Sequence, residues 1–291
     1  MKSYFTPALL CILLASSLAA QDYAIKLQHP LTVGQRFEYR ATADESMERS
    51  MISEQRTLKT EKEELKVELE SVATILEVDA KGRSLKESHQ IVKLLEGTNQ
   101  TPLLAAGTIV VASRSGKKAV FNIAGTSPPN AVINALVTVI DIASGGPTDD
   151  ELFGTKERKK VGDSWPLDEA LASREAKEKF AGLGMSMESM KGMTTLQSVS
   201  HEGGTDVIHV ASDVTATMVS NSKGPFALVK GNIKAYFSGA FPEDITKHVS
   251  KSGTKMTASF ELSGQPAFAG PVVRISCNAT RSGTRQSKLL K

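Results

Sequence analysis

Ala227-Leu228-Val229-Lys230-Gly231-Asn232-Ile233-Lys234-Ala235-Tyr236-Phe237-Ser238 decides the fold. Ala227, Val229, Gly231, Ile233, Ala235 and Phe237 fall on one side, and Leu228, Lys230, Asn232, Lys234, Tyr236 and Ser238 on the other. Alternation of this kind is a strand with one covered and one wet face. The same period runs on both sides of it. Ile208, Val210, Val214, Ala216 and Met218 alternate with polar neighbours, and so do Met256, Ala258, Phe260 and Leu262. His201-Glu202-Gly203-Gly204 and Phe241-Pro242-Glu243-Asp244 punctuate the runs as turns. The last third is therefore an antiparallel meander.

Working back toward the start, residues 54–70 are rich in helix formers, yet Leu65, Val67 and Leu69 alternate with charged neighbours. The period predicts one long strand to Val78, with a bulge near Ser71 where the in/out phase slips, closed by the turn Asp79-Ala80-Lys81-Gly82-Arg83. A return strand over 84–95 and a hairpin of Thr108–Ala112 with Ala119–Ile123 follow. Earlier still, Tyr23–Leu27 reads as a first strand, and Phe37 and Tyr39 share one face of a second. Ser127-Pro128-Pro129 opens a helix expected to run over 131–143 on a broad apolar face, ended by Gly145-Gly146-Pro147. Gly162 and Asp163 form a turn anchored by the sole tryptophan, Trp165, and Leu167–Lys179 is helical with Asp168 as its cap. The expected fold is α+β and mostly β: a large curved antiparallel meander, half-barrel-like, with one or two helices on its concave face. Residues 21–291 are read as a single β-rich domain, with a division near 125–165 as the alternative.

The first 20 residues have a positive start at Lys2, an apolar run over Pro7–Leu14 and a small-residue end, Ala15 to Ala20. This is the pattern of a secretory signal peptide cleaved after Ala19 or Ala20, which places the protein in the periplasm or outside the cell. Cleavage would leave Cys277 as the only cysteine, so no intramolecular disulfide is expected, and Cys277 reads as a buried inert thiol. The formal charge of +3, from 35 basic and 32 acidic residues, is too balanced to argue for nucleic acid.

Gly34, Phe37 and Tyr39, followed midway by Val161-Gly162-Asp163-Ser164-Trp165 and between them by the turn from Asp79 to Gly82, carry a resemblance. The chain is similar to a family of exported bacterial proteins known as a domain of unknown function. Its long strands also resemble, at the level of fold, the half-barrel of lipoprotein carriers, a sheet curled over an apolar cavity. Neither likeness implies a catalytic residue.

Candidate chemistry is sparse. Gly162-Asp163-Ser164 looks like a serine-esterase block, but it lies past the middle of the chain and is followed by Pro166, which favours a plain turn. Asp149-Asp150-Glu151 reads as a solvated loop rather than a hydrolase carboxylate pair. The five histidines show no zinc spacing. Met185, Met187, Met190 and Met193 offer soft sulfur for copper, but core packing or the lining of an apolar ligand suits flexible methionines better, and Gly182, Gly184 and Gly192 suit a mobile lid more than a rigid metal cage. The expected lining set is Met185, Met187, Met190, Met193, Val229, Ile233, Phe237 and Phe260, with no metal and no cofactor. The functional expectation is a non-catalytic exported protein binding a lipid or other apolar molecule. A structural or interaction protein of the envelope, with a protein partner, is the main alternative; a copper protein and a hydrolase are minor ones. No nucleic acid partner and no transmembrane anchor are expected.

Overall fold

In the computed structural model, the residues described are 21–53, 56–116, 118–143, 145–180, 185–220, 226–249, 251–264 and 272–290. The expected signal peptide lies outside them. One antiparallel sheet dominates, curved but not closed into a barrel. Its strands are β1 (Arg36–Ser53), β2 (Arg56–Val78), β3 (Ser84–Glu96), β4 (Thr101–Pro102), β5 (Ile109–Ser115), β6 (Lys118–Ile123), β7 (Ser164–Pro166), β8 (Met185–Glu202), β9 (Thr205–Ser220), β10 (Phe226–Pro242), β11 (Lys251–Gly264) and β12 (Val273–Leu289). Three helices, α1 (Asn130–Val139), α2 (Asp149–Phe153) and α3 (Glu169–Phe180), complete the described elements.

The strand order is β6-β5-β3-β2-β1-β12-β11-β10-β9-β8-β7, with β4 beside β3. The chain starts mid-sheet and winds outward to β6. The stretch between β6 and β7, which carries α1 and α2, takes it to the opposite edge, and it then winds back until β12 pairs with β1. Hairpin turns follow their residue chemistry. Gly203 and Gly204, both at positive φ (58° and 78°), close β8 onto β9 in the two-residue turn that such φ values favour.

Alternation along the strands gives the sheet an apolar inner face and a polar outer one. On β2, Val67, Leu69, Ser71, Ala73 and Ile75 are all buried, so the inward phase runs unbroken through Ser71. The bulge expected at Ser71 exists, but the extra residue is on the partner strand: Glu70 faces Lys93 and Ser71 faces Ile91, leaving Val92 55% exposed. Ser71 stays inside because a buried histidine, described below, gives its hydroxyl a partner. A second bulge breaks the phase of the fold-deciding stretch in β10, where pairing slips between Leu228 and Lys230. Leu228 turns inward against Gly231, and Val229 turns out to 60% exposure.

Two helical layers cover the inner face. α1 packs over the half containing β1–β3, β5 and β6 through Val132, Ala135, Leu136 and Val139, against Leu69, Ile91, Leu94, Val110 and Phe121. It ends at Val139, four residues short of the expected Ala143, and Ile140 is extended. The run Val137-Thr138-Val139-Ile140 is β-branched throughout, which weakens the helix. Competing partners then take its free carbonyls: Tyr39 Oη donates to Val139 O (2.6 Å) and Arg281 Nη2 to Thr138 O (3.3 Å). Beyond the helix, Ala143 N–H donates to Ser84 O (3.0 Å).

α3 covers the other half. Its cap is the expected one, Leu171 N–H donating to Asp168 Oδ1 (2.8 Å). The turn before β7 is also as expected: Gly162 has φ +95°, and buried Trp165 donates from Nε1 to Phe153 O (2.8 Å). Two stretches differ from expectation. Tyr23–Leu27 makes a single bridge, Tyr23 to Lys159, and is a strap rather than a strand. Asp149–Phe153 is a helical turn rather than a loop, closed by a capping box between Thr148 and Glu151.

Candidate functional site

Between α3 and the sheet lies an apolar groove of about 260 Å³. Its floor is a grid of cross-strand neighbours: Met190, Ala216 and Ile233 in one row, and Val214, Ala235 and Met256 in the next. The alanines matter most, because a larger residue at 216 or 235 would fill the space. Leu152 and Phe153 of α2, and Leu167, Ala172 and Ala176 of the α3 segment, form the roof. Gly192 allows that roof to close: a Cβ there would stand 2.1 Å from Leu167 Cδ2. Met256 also lines a second trough of about 620 Å³ running along α1 with Met47, Ala279 and Arg281. α1 therefore leaves a trough beside it, as α3 leaves the groove beneath it.

At one end the groove opens into a polar cleft of about 480 Å³, and Leu152, Phe153, Glu175 and Phe237 line both. The Phe153 and Phe237 rings, 5.2 Å apart, mark the junction. The strap forms one wall of the cleft. Ile25 and Leu27 bury beside Trp165, Leu196 and Ile208, Leu27 N–H donates to Asp150 Oδ1 (2.6 Å), and Leu31 N–H donates to Gly82 O (2.7 Å). α2 is tied to the 79–83 turn by Lys81 Nζ, which donates to both oxygens of Glu151 (2.8 and 2.7 Å). That contact, with the Thr148 backbone N–H, holds the Glu151 carboxyl down at about 2.

Carboxylates dominate the cleft: Glu87, Asp141, Asp149 and Glu175 line it. The cations nearby are engaged. Arg83 pairs with Asp79 (2.7 Å) and donates to Gly146 O (2.6 Å), while Arg285 pairs with Asp141 (3.0 Å). Asp149 has no hydrogen-bond or ion-pair partner among the described residues. Desolvation inside the cleft, then the charges of Asp141 and Asp150, push its carboxyl up to about 6. Asp149 is also exposed to water on one side, and solvent there moderates the rise.

Behind Glu87 runs a buried polar chain. His89, with 0% exposure, places Nε2 2.9 Å from Glu87 Oε2 and Nδ1 3.0 Å from Ser71 Oγ. The carboxylate can only accept, so Nε2 carries a proton toward it, and Nδ1 pairs with the Ser71 hydroxyl. This has the order of a hydrolytic triad, but the serine is the sealed end and the carboxylate the accessible one. It satisfies a polar core rather than presenting a nucleophile.

Of the eight residues expected to line a ligand, six have described side chains, and the structure scatters those six. Met190, Ile233 and Phe237 meet in the groove. Val229 is turned out by the β10 bulge, and Met193, 47% exposed, points away from Met190 on the same strand. Phe260 lies half-buried on the inner face of β11, outside the groove. The side chains of Met185 and Met187 lie outside the described residues. Residues 185–202 form strand β8, not a lid, because they pair along their whole length with β9. Opposed Met190 and Met193 cannot share a copper ion, and among the described residues no cluster of three His, Cys, Asp or Glu is placed to hold a metal. Cys277 is buried, and burial pushes its thiol up. No described helix is long and apolar enough to cross a membrane. The acidic cleft was not read from the sequence, since its wall residues come from five separate segments.

No family model and no curated protein matches the chain. Among solved structures, lipovitellin, described for lipid–protein interactions, is similar at 11% identity and a TM-score of 0.34. That match covers 90% of this chain and 25% of the lipovitellin chain, so this chain spans about a quarter of that protein's length. OpdQ from Pseudomonas aeruginosa aligns over 88% of this chain and 98% of its own, with 8% identity and a TM-score of 0.23. An outer membrane channel from Pseudomonas putida F1 aligns over 90% and 98%, with 7% identity and a TM-score of 0.19. Likeness at these scores carries no functional argument.

Proposed function

We propose that this protein is a non-catalytic carrier or sensor that binds an apolar molecule, such as a lipid acyl chain, in the groove beneath α3. One observation carries the reading: a hollow roofed by α3, whose floor of Met190, Ala216, Ile233, Ala235 and Met256 is kept open by small side chains, and whose lining is apolar except for Glu175, which it shares with the cleft. Hollows of this kind are lined by apolar side chains with a few polar groups at one end. The groove alone is a little below the ~300 Å³ at which ligand sites usually begin, and with its adjoining cleft it lies within their range. Export to the periplasm or beyond, expected from the first 20 residues, is the setting we assign to it.

The test is displacement of a neutral apolar fluorophore by dodecanol, in the wild type and in Ala235→Trp. Ala235 is half-buried, so its replacement fills the groove with limited disturbance of the sheet. Saturable displacement from the wild type, weakened at least tenfold in a variant with unchanged circular dichroism, is the expected result. No saturable displacement from the wild type would overturn the reading.

A further inference from the structure

The cleft at the end of the groove has a chemistry of its own. We propose that it receives the protonated amine of an amphiphile whose aliphatic tail lies in the groove. This rests on the groove reading above and names the class of molecule.

Three observations converge. The first is continuity: Leu152, Phe153 and Phe237 belong to both cavities, so a chain leaving the groove passes directly into the cleft. The second is charge. Arg83 is spent on Asp79 and a carbonyl, and Arg285 on Asp141, whereas Asp149 stands unpaired beside two like charges. A cation arriving there gains an ion pair and relieves carboxylate repulsion; an anion meets repulsion. The third is an orphan. Ser84 lines the cleft, is 94% buried by its 6% exposure, and its Oγ has no hydrogen-bond partner among the described residues. A buried hydroxyl without a partner carries a desolvation cost. An ammonium N–H supplies the donor that this oxygen lacks.

The experiment compares three twelve-carbon probes below their micelle concentrations at pH 8 and low salt: dodecylamine, protonated there as a primary amine, dodecanol and dodecanoate. Each displaces the same neutral fluorophore from the wild type, Asp149→Asn and Ser84→Ala. The wild type is expected to bind dodecylamine about tenfold more tightly than dodecanoate, with dodecanol between. Asp149→Asn should lose most of that preference while its dodecanol affinity stays unchanged, and Ser84→Ala should lose a smaller part. Equal or tighter binding of dodecanoate overturns the proposal, as does an undiminished amine preference in both variants. The two readings fail differently. If none of the probes binds, the groove reading falls; if dodecanol binds without any preference for the amine, only the present inference falls.

Discussion

His248 and Asp149 have opposite pH signatures. His248 stacks on Phe37 (4.1 Å between centroids), and its Nε2 lies 2.6 Å from Ser287 Oγ. Burial, then the charge of His29, lowers its pKa to about 4. The unfolded chain binds that proton more readily than the folded one. The stability His248 contributes is therefore full above pH ~6.5 and lost as pH falls toward 4. Asp149 works the other way: its raised value means the folded state holds the proton, so stability is gained as pH falls from about 6 toward 4. In the wild type the two partly cancel between pH 4 and 6. His248→Phe keeps the stacked ring and removes the titration. Its unfolding midpoint is expected to rise relative to wild type progressively as pH drops from 6.5 to 4.5. The measurement is urea unfolding at several pH values, and a difference that stays constant with pH would sink the assignment.

Individual elements were legible where one residue type answered one question. The alternation of Leu65, Val67 and Leu69 outweighed the helix propensity around them because an inward row must meet a core, and it meets α1. Bulges were harder, because the residue that slips belongs to the partner strand, as Val92 does for Ser71. The strap and α2 were not legible. Ile25 and Leu27 alternate as a strand would, yet their neighbours in space are Trp165 and Leu196, and α2 is too short to show a period. The candidate site suffers most, since cleft walls from five segments leave no spacing to read. The turn at Asp79–Arg83 combines legible and illegible parts. Asp79 Oδ1 accepts from Lys81 and Arg83 N–H (2.8 and 2.9 Å), as a turn aspartate does. Gly82, at φ +72°, supplies the left-handed residue, but it also lets the strap pass: a Cβ there would stand 2.5 Å from Pro30 Cβ and 2.8 Å from Pro30 Cα. Gly82→Ala thus meets both the φ cost, ~1–2 kcal/mol, and a backbone clash, for a total of about 2–4 kcal/mol. It should also expose the strap, so limited proteolysis near residues 28–33 is expected to accelerate with the fall in denaturation midpoint. A midpoint within ~0.5 kcal/mol of wild type would show that the strap yields freely.

At the scale of the whole molecule, everything depends on one seam. The two windings of the meander meet where β1 pairs with β12, in register from Phe37 with Leu289 to Ser53 with Val273. Thr42 and Thr284, whose hydroxyls are 2.8 Å apart on the outer face, are 242 residues apart in sequence. The hairpin of β8 with β9 closes through two residues, and that of β10 with β11 through residues 243–250. Bringing Thr42 to Thr284 from an open chain costs about 3 kcal/mol more in loop entropy than closing a ten-residue loop. Hydrophobic burial repays that cost only once both halves already offer an inner face. The hairpins of each half should therefore form first and the seam last, with a slow overall rate typical of non-local sheets. Pulsed hydrogen exchange during refolding tests this directly. Backbone amides paired between β8 and β9 are expected to gain protection in the early phase, and those paired between β1 and β12 only in the final one. Simultaneous protection of both sets would mean that the sheet condenses around the seam. In that case a substitution such as Ala43→Gly, in the buried inner row of β1, would slow refolding rather than hasten unfolding. If the seam closes last, the same change should leave the refolding rate nearly unaltered and appear in the unfolding rate.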